Sequence, residues 1–108
     1  EQMKCRIQYA PLAIQDLERV WSEVCEASKD PEVAARYVDD LMDRISAKKD
    51  FPKSGSPLYY ESSFTGYYFV TFKAYIAFYR VQEDRILVDR VVYGKSDYIR
   101  TLFRRLNP

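Results

Sequence analysis

Eight of the ten tyrosines lie at Tyr59, Tyr60, Tyr67, Tyr68, Tyr75, Tyr79, Tyr93 and Tyr98, interleaved with Lys73, Arg80, Arg90 and Lys95. Aromatic faces with cations among them suit unpaired bases and phosphates, because stacking accepts any base and the cations meet the backbone. Tyrosine is also a good strand residue with one polar edge, so a single tyrosine carries less weight than the cluster. Cleavage of an RNA phosphodiester at neutral pH needs a base for the 2′-hydroxyl, cations at the crowded phosphate and an acid for the leaving 5′-oxygen. The chain has no histidine. The candidates for this chemistry are therefore Arg90 and Lys95 on the phosphate, Tyr93, Asp97 or Tyr98 in proton transfer, and Lys49, Lys53, Lys73 and Tyr75 as RNA contacts.

Arg90 stands out, because simple alternation puts it on a strand face with Ile86, Val88 and Val92, where an unpaired charge is costly. Either an acid such as Asp89 or an anionic ligand should meet it. Arg100, Arg104 and Arg105 have a plainer reading as positive charge in a last helix, complementing its dipole. The net charge of +1 hides an asymmetry: residues 15–50 carry ten acids and six bases, whereas residues 51–108 carry five acids and nine bases. The second half is thus the candidate for meeting an anion. A net charge of +1 is too weak for general nucleic-acid binding.

Other chemistries fit poorly. Cys5 and Cys25 are too far apart for a chelating pair, so neither a metal site nor a cofactor is expected. They are expected to be reduced, buried thiols. No run approaches the roughly 18 apolar residues of a membrane span, and the opening residues lack the apolar block of a signal peptide. A cytoplasmic location without membrane contact is the expectation.

The elements that must position these residues follow from periodicity. Lys4 to Tyr9 alternate as a half-buried strand closed by Pro11. Ile14, Leu17, Trp21 and Val24, widened by Val20, predict a helix from Leu12 to about Ala27 with that stripe against the sheet. Asp30 before Pro31 is a good N-cap, and Ala34, Tyr37, Val38, Leu41 and Ile45 give a second helix. Phe51 to Pro57 concentrates chain breakers and predicts a loop. Leu58–Tyr60, Tyr67–Phe72, Tyr75–Val81 and Ile86–Tyr93 predict strands, linked at Thr65-Gly66, Lys73-Ala74 and Gln82 to Arg85. Ser96 or Asp97 should cap a last helix carrying Ile99, Leu102, Phe103 and Leu106. The result is one α+β domain over residues 1–108 in the order β-α-α-β-β-β-β-α. A helical hairpin should cover one face of an antiparallel-rich sheet, leaving the other face at least partly concave and open.

Read as a whole, the chain resembles the RelE/ParE superfamily, the plasmid stabilisation toxins of type II toxin–antitoxin systems. The resemblance rests on Tyr9 to Leu17, with Ala13, Asp16 and Leu17 in the family's places, on the Phe51-Pro52 to Gly55-Ser56-Pro57 loop, and on Tyr75 to Val81 followed by Arg90-Val91-Val92-Tyr93-Gly94-Lys95-Ser96-Asp97-Tyr98. It implies a growth-inhibiting toxin silenced by a cognate antitoxin, with operator DNA met only through that complex. RelE-type members are ribosome-dependent mRNA endoribonucleases, and the Tyr, Lys and Arg cluster inclines the expectation toward translation inhibition through ribosome and mRNA. Their usual basic positions are here similar to Tyr67, Phe69, Ile76 and Ser96. The Arg90 to Gly94 run is equally similar to ParE-type proteins, which inhibit DNA gyrase without cutting RNA.

Overall fold

A computed structural model of the chain describes residues 6–103. The elements are β1 (Arg6–Tyr9), α1 (Pro11–Ser28), α2 (Pro31–Ser46), a 3-10 turn (Pro52–Ser54), β2 (Ser56–Tyr60), β3 (Ser63–Phe72), β4 (Tyr75–Gln82), β5 (Arg85–Tyr93) and α3 (Tyr98–Phe103). This is the expected α+β order. The strands lie in the order β1-β5-β4-β3-β2. β1 runs parallel to β5 and the other neighbours are antiparallel. Tight links allow only antiparallel partners, whereas the parallel pair uses the whole intervening chain as its crossover.

The helical hairpin forms for reasons visible in the sequence. Pro11 and Pro31 occupy first-turn positions, and the Asp30 carboxylate accepts the Glu32 N–H at 3.0 Å. Lys29 takes a left-handed conformation (φ 58°) and its N–H closes α1 on the Cys25 carbonyl. One face of the sheet is covered by Leu17 and Val20 of α1 and Leu41 and Ile45 of α2, packed on Val70, Tyr79, Ile86, Val88 and Val91. Each such side chain contributes about 1.5–3 kcal/mol by leaving water. The opposite face is less open than expected: Leu58, Phe78 and Val92 form a second cluster beneath Leu102 of α3.

Two expectations need correction. The buried stripe of α1 is Ala13, Asp16, Leu17 and Val20, while Ile14 and Trp21 are 49% and 38% exposed. The helix is thus turned by about one position, because Asp16 belongs to the inner face. The β2–β3 turn is at Glu61 and Ser62, with φ of 50° and 72°, not at Thr65-Gly66. Thr65 and Gly66 (φ 91°) sit within β3, opposite the register shift between Pro57 and Tyr59. The glycine marks an irregularity inside a strand, where its freedom is needed just as in a turn. Lys4, Cys5, Arg104, Arg105 and Leu106 fall outside the described residues; Cys25 is a free thiol.

Candidate functional site

β1 pairs with β5 only as far as Tyr9 opposite Val88, where the Ala10 N–H reaches the Val88 carbonyl at 2.9 Å. There the chain turns into α1 and leaves the next stretch of β5 without a strand beside it on that edge. Asp16 fills the gap. Its Oδ2 accepts the Val91 N–H at 2.9 Å and Arg90 Nε at 2.7 Å, and its Oδ1 accepts Arg90 Nη2 at 3.0 Å and Arg19 Nη2 at 2.9 Å. Arg19 also reaches the Val91 carbonyl at 3.3 Å. A buried carboxylate is tolerated only when paired and hydrogen-bonded, and this one meets both conditions. The hydrogen bonds from Arg90 to Asp16 raise the Arg90 pKa further above its ordinary value.

The acid that meets Arg90 within the chain is thus Asp16 and not Asp89. The register shift opposite Phe78 and Tyr79 makes Asp89 the extra residue of a bulge. As a result Val88 and Val91 share the helix-covered face while Val92 lies on the other, so simple alternation misplaced Arg90. Asp89 instead holds Arg80 at 2.7 and 3.2 Å, with the Arg80 guanidinium 5.7 Å from the Tyr67 ring centroid.

The remaining candidates do not converge on one point. Tyr93 is exposed, with its ring edge-on to Tyr75 at 5.9 Å on the helix-covered side. Tyr98 lies on the other face, 5.3 Å from the Phe78 ring. Lys95 is exposed in the β5–α3 turn, which the Gly94 N–H pins to the Ala74 carbonyl at 2.7 Å. Asp97 pairs with Arg100 at 3.4 Å and caps its N–H, the second of the two caps expected. Tyr75 is buried, which raises its pKa, and its hydroxyl donates to Glu23, which raises it further. Its ring is packed against Tyr37, so it presents no free face for a base. Lys73 sits over the Tyr37 and Phe72 rings at 5.1 and 5.3 Å. Lys49 and Lys53 are exposed between α2 and β2.

Sequence reasoning missed Asp16 as a buried acid and Arg80–Asp89 as a pair. A usable signal existed for the first: one arginine in an apolar strand, and one acid among Ala13, Leu17 and Val20 at helical spacing. Among the described residues no group of acids and cysteines is placed to hold a metal ion, and no helix is long and apolar enough to cross a membrane.

No curated protein shows significant sequence similarity to the chain. Solved structures share its fold. The chromosomal ParDE toxin–antitoxin system of P. aeruginosa contains a chain matching at a TM-score of 0.71 and 18% identity, covering 85% of this chain and 98% of that one. The RelBE2 toxin–antitoxin complex of Mycobacterium tuberculosis contains another, at a TM-score of 0.57 and 18% identity, covering 86% and 94%. The sequence profile described as the ParE toxin of the type II toxin–antitoxin system parDE matches residues 7–98. With most of its length matched and the strand-to-helix start and β4–β5 hairpin placed as that resemblance implied, the chain belongs to the ParE toxin family of the RelE/ParE superfamily.

Proposed function

We propose that this chain is a growth-inhibiting toxin that acts by binding DNA gyrase, without cutting mRNA, and that a cognate antitoxin keeps it silent. The observation that carries this reading is the engagement of Arg90 by Asp16. A phosphate-stabilising cation must offer its charge to a developing anion, and Arg90 already commits its Nε and Nη2 donors and its charge to the Asp16 carboxylate. Tyr67, Phe69 and Ile76, at positions usually basic in the ribonucleases of the superfamily, pack around Phe78 and Leu58. On these grounds we favour the gyrase alternative over the ribosome-dependent endoribonuclease. The antitoxin is supported by the two structural neighbours, both toxin–antitoxin assemblies. In this reading the toxin works in the cytoplasm, and operator DNA is met only by the toxin–antitoxin complex.

The test pairs a gyrase supercoiling assay on the purified protein with mapping of mRNA 5′ ends after induction. Inhibited supercoiling with an unchanged 5′-end profile is expected. Codon-phased cuts with unaffected supercoiling would overturn the proposal in favour of the ribonuclease.

A further inference from the structure

We infer that a cleft between the end of α2 and the edge of β3 seats one carboxylate of the antitoxin, and that a row of aromatic rings beside it receives the antitoxin's apolar side chains. This deepens the antitoxin reading above and rests on it. The cleft arises because β2 begins to pair only at Ser56 opposite Phe69, which leaves Val70 to Phe72 without a strand on that edge. Arg44 of α2 reaches into the gap, and its Nη1 donates to the Thr71 carbonyl at 3.3 Å. The opening, about 180 Å³, is lined by Arg44, Lys48, Ser54, Gly55, Ser56 and Thr71.

Lys48 is the telling residue. It is only partly exposed, yet among the described residues its ammonium has no acceptor and no carboxylate partner. Arg44, itself exposed, meets the neutral Thr71 carbonyl and the Phe72 ring at 5.7 Å and, among the described residues, no acid. A cation held partly out of water without a counter-charge is poorly compensated, and an incoming carboxylate would offset that cost. The hydroxyls of Ser54 and Ser56 add donors at the same opening. A single carboxylate fits better than a nucleic-acid backbone. Asp39, Asp40 and Asp43 are exposed on the same helix and Asp50 follows it, and residues 15–50 hold ten acids against six bases. A polyanion would meet that repulsion along its length, whereas one carboxylate meets only its two nearest cations.

The cleft leads into the rings. A side chain at Gly55 would meet the Tyr79 hydroxyl, which donates to the Pro52 carbonyl at 2.6 Å, so Tyr79 stands behind the cleft wall. From Tyr79 the ring centroids step outward to Tyr68 (5.7 Å), Phe64 (5.4 Å) and Tyr59 (5.8 Å). Exposure climbs from 0% at Tyr79 to 47% at Phe64 and 58% at Tyr59. A contiguous exposed aromatic row of this kind marks an interaction surface. A helix brings side chains of one face up at about 5.4 Å per turn, close to the ring-to-ring step. The occupant is therefore an amphipathic helical segment with apolar residues at i, i+3 and i+4 spacing and an Asp or Glu at the end nearest Lys48.

The probe is the antitoxin encoded alongside this chain, purified separately and titrated calorimetrically against the wild-type toxin, Lys48→Gln, Lys48→Glu, Phe64→Ser and Lys95→Ala. Lys48→Glu and Phe64→Ser should each weaken binding at least tenfold, Lys48→Gln less, and Lys95→Ala not at all. Changing one antitoxin acid to lysine should restore affinity for Lys48→Glu and no other variant. Thermal melting of each variant separates lost contact from lost fold, and the partly exposed Lys48 and the exposed Phe64 are chosen so that melting stays unchanged. Wild-type affinity in Lys48→Glu and Phe64→Ser would overturn the inference while leaving the antitoxin reading intact. No binding by the wild-type toxin would remove the antitoxin reading itself. Lost toxicity with undiminished antitoxin affinity in Lys48→Glu would assign the cleft to the target and also overturn the inference.

Discussion

Asp16 of α1 and Arg90 of β5, 74 positions apart in the chain, meet through two hydrogen bonds of 2.7 and 3.0 Å. The same carboxylate takes the Val91 N–H. One side chain therefore neutralises a cation, caps a strand edge and fixes the rotation of α1 on the sheet. At the opposite side of the sheet Arg44 does a comparable job, capping the edge of β3 at the Thr71 carbonyl. Both helices thus close strand edges that would otherwise offer bare backbone groups.

Removing Asp16 should be severe. Asp16→Ala leaves Arg90 and the Val91 N–H without their partner, and breaking a buried pair from one side costs about 3–5 kcal/mol. Urea denaturation checks this. A loss below about 1 kcal/mol, the scale of an exposed pair, would show that the cluster does not hold α1 to the sheet.

Core truncations separate the observed stripe from the expected one. Leu41 is fully buried, so Leu41→Ala should cost about 2–5 kcal/mol. Trp21 is 38% exposed on the outer side of α1, and Trp21→Ala should cost clearly less. Equal losses on thermal or urea unfolding would return Trp21 to the core.

These cases show what the sequence made legible. Strand and helix identities survive because alternation, helical spacing and the Asp30-Pro31 cap are local signals. The rotation of α1 was hidden because an acid reads as solvent-facing unless its partner is known, and Arg90 lies far away in the chain. The partner of Arg90 was hidden because Asp89 occupies a bulge, and a one-residue bulge inverts the alternation that assigns faces. The candidate site was less legible than the fold. Spacing gathered Tyr93, Lys95, Asp97 and Tyr98 in one run, but the sheet places the Tyr93 and Tyr98 rings on opposite faces. The partly exposed Lys48 of the cleft had no sequence signal, since its acceptor-poor setting is created by where β2 begins.

Alkaline pH should destabilise the fold through its tyrosines. Burial, with help from Asp43, pushes the Tyr9 pKa up to about 12, and burial also raises Tyr75 and Tyr79. An unfolded tyrosine ionises near about 10. Below that value the contribution to stability is fully present; above it the unfolded chain releases protons that the folded chain keeps, so stability falls as pH rises toward about 12. The thermal midpoint should drop across this window in the wild type, and less in Tyr9→Phe. Identical pH profiles for the two would show that Tyr9 does not contribute.

Gly55→Ala tests the wall of the cleft. The backbone of Gly55 (φ −70°, ψ 173°) is one any residue adopts, so the cost of a side chain there is steric and not conformational. The added Cβ would fall on the Tyr79 hydroxyl and lie 3.2 Å from the Phe69 carbonyl. Relief requires displacing either the ring or the Pro52–Ser54 turn, and overpacking of this kind costs about 1–3 kcal/mol. Tyr79→Phe alone removes the donor to the Pro52 carbonyl and should cost about 1 kcal/mol. In the double variant the methyl occupies the space the hydroxyl left, so its loss should be smaller than the two single losses together. A double-mutant cycle by urea denaturation reads that coupling directly. Additive losses would show that the clash lies with the Phe69 backbone, and that Tyr79 does not set the position of the turn carrying Ser54 and Ser56.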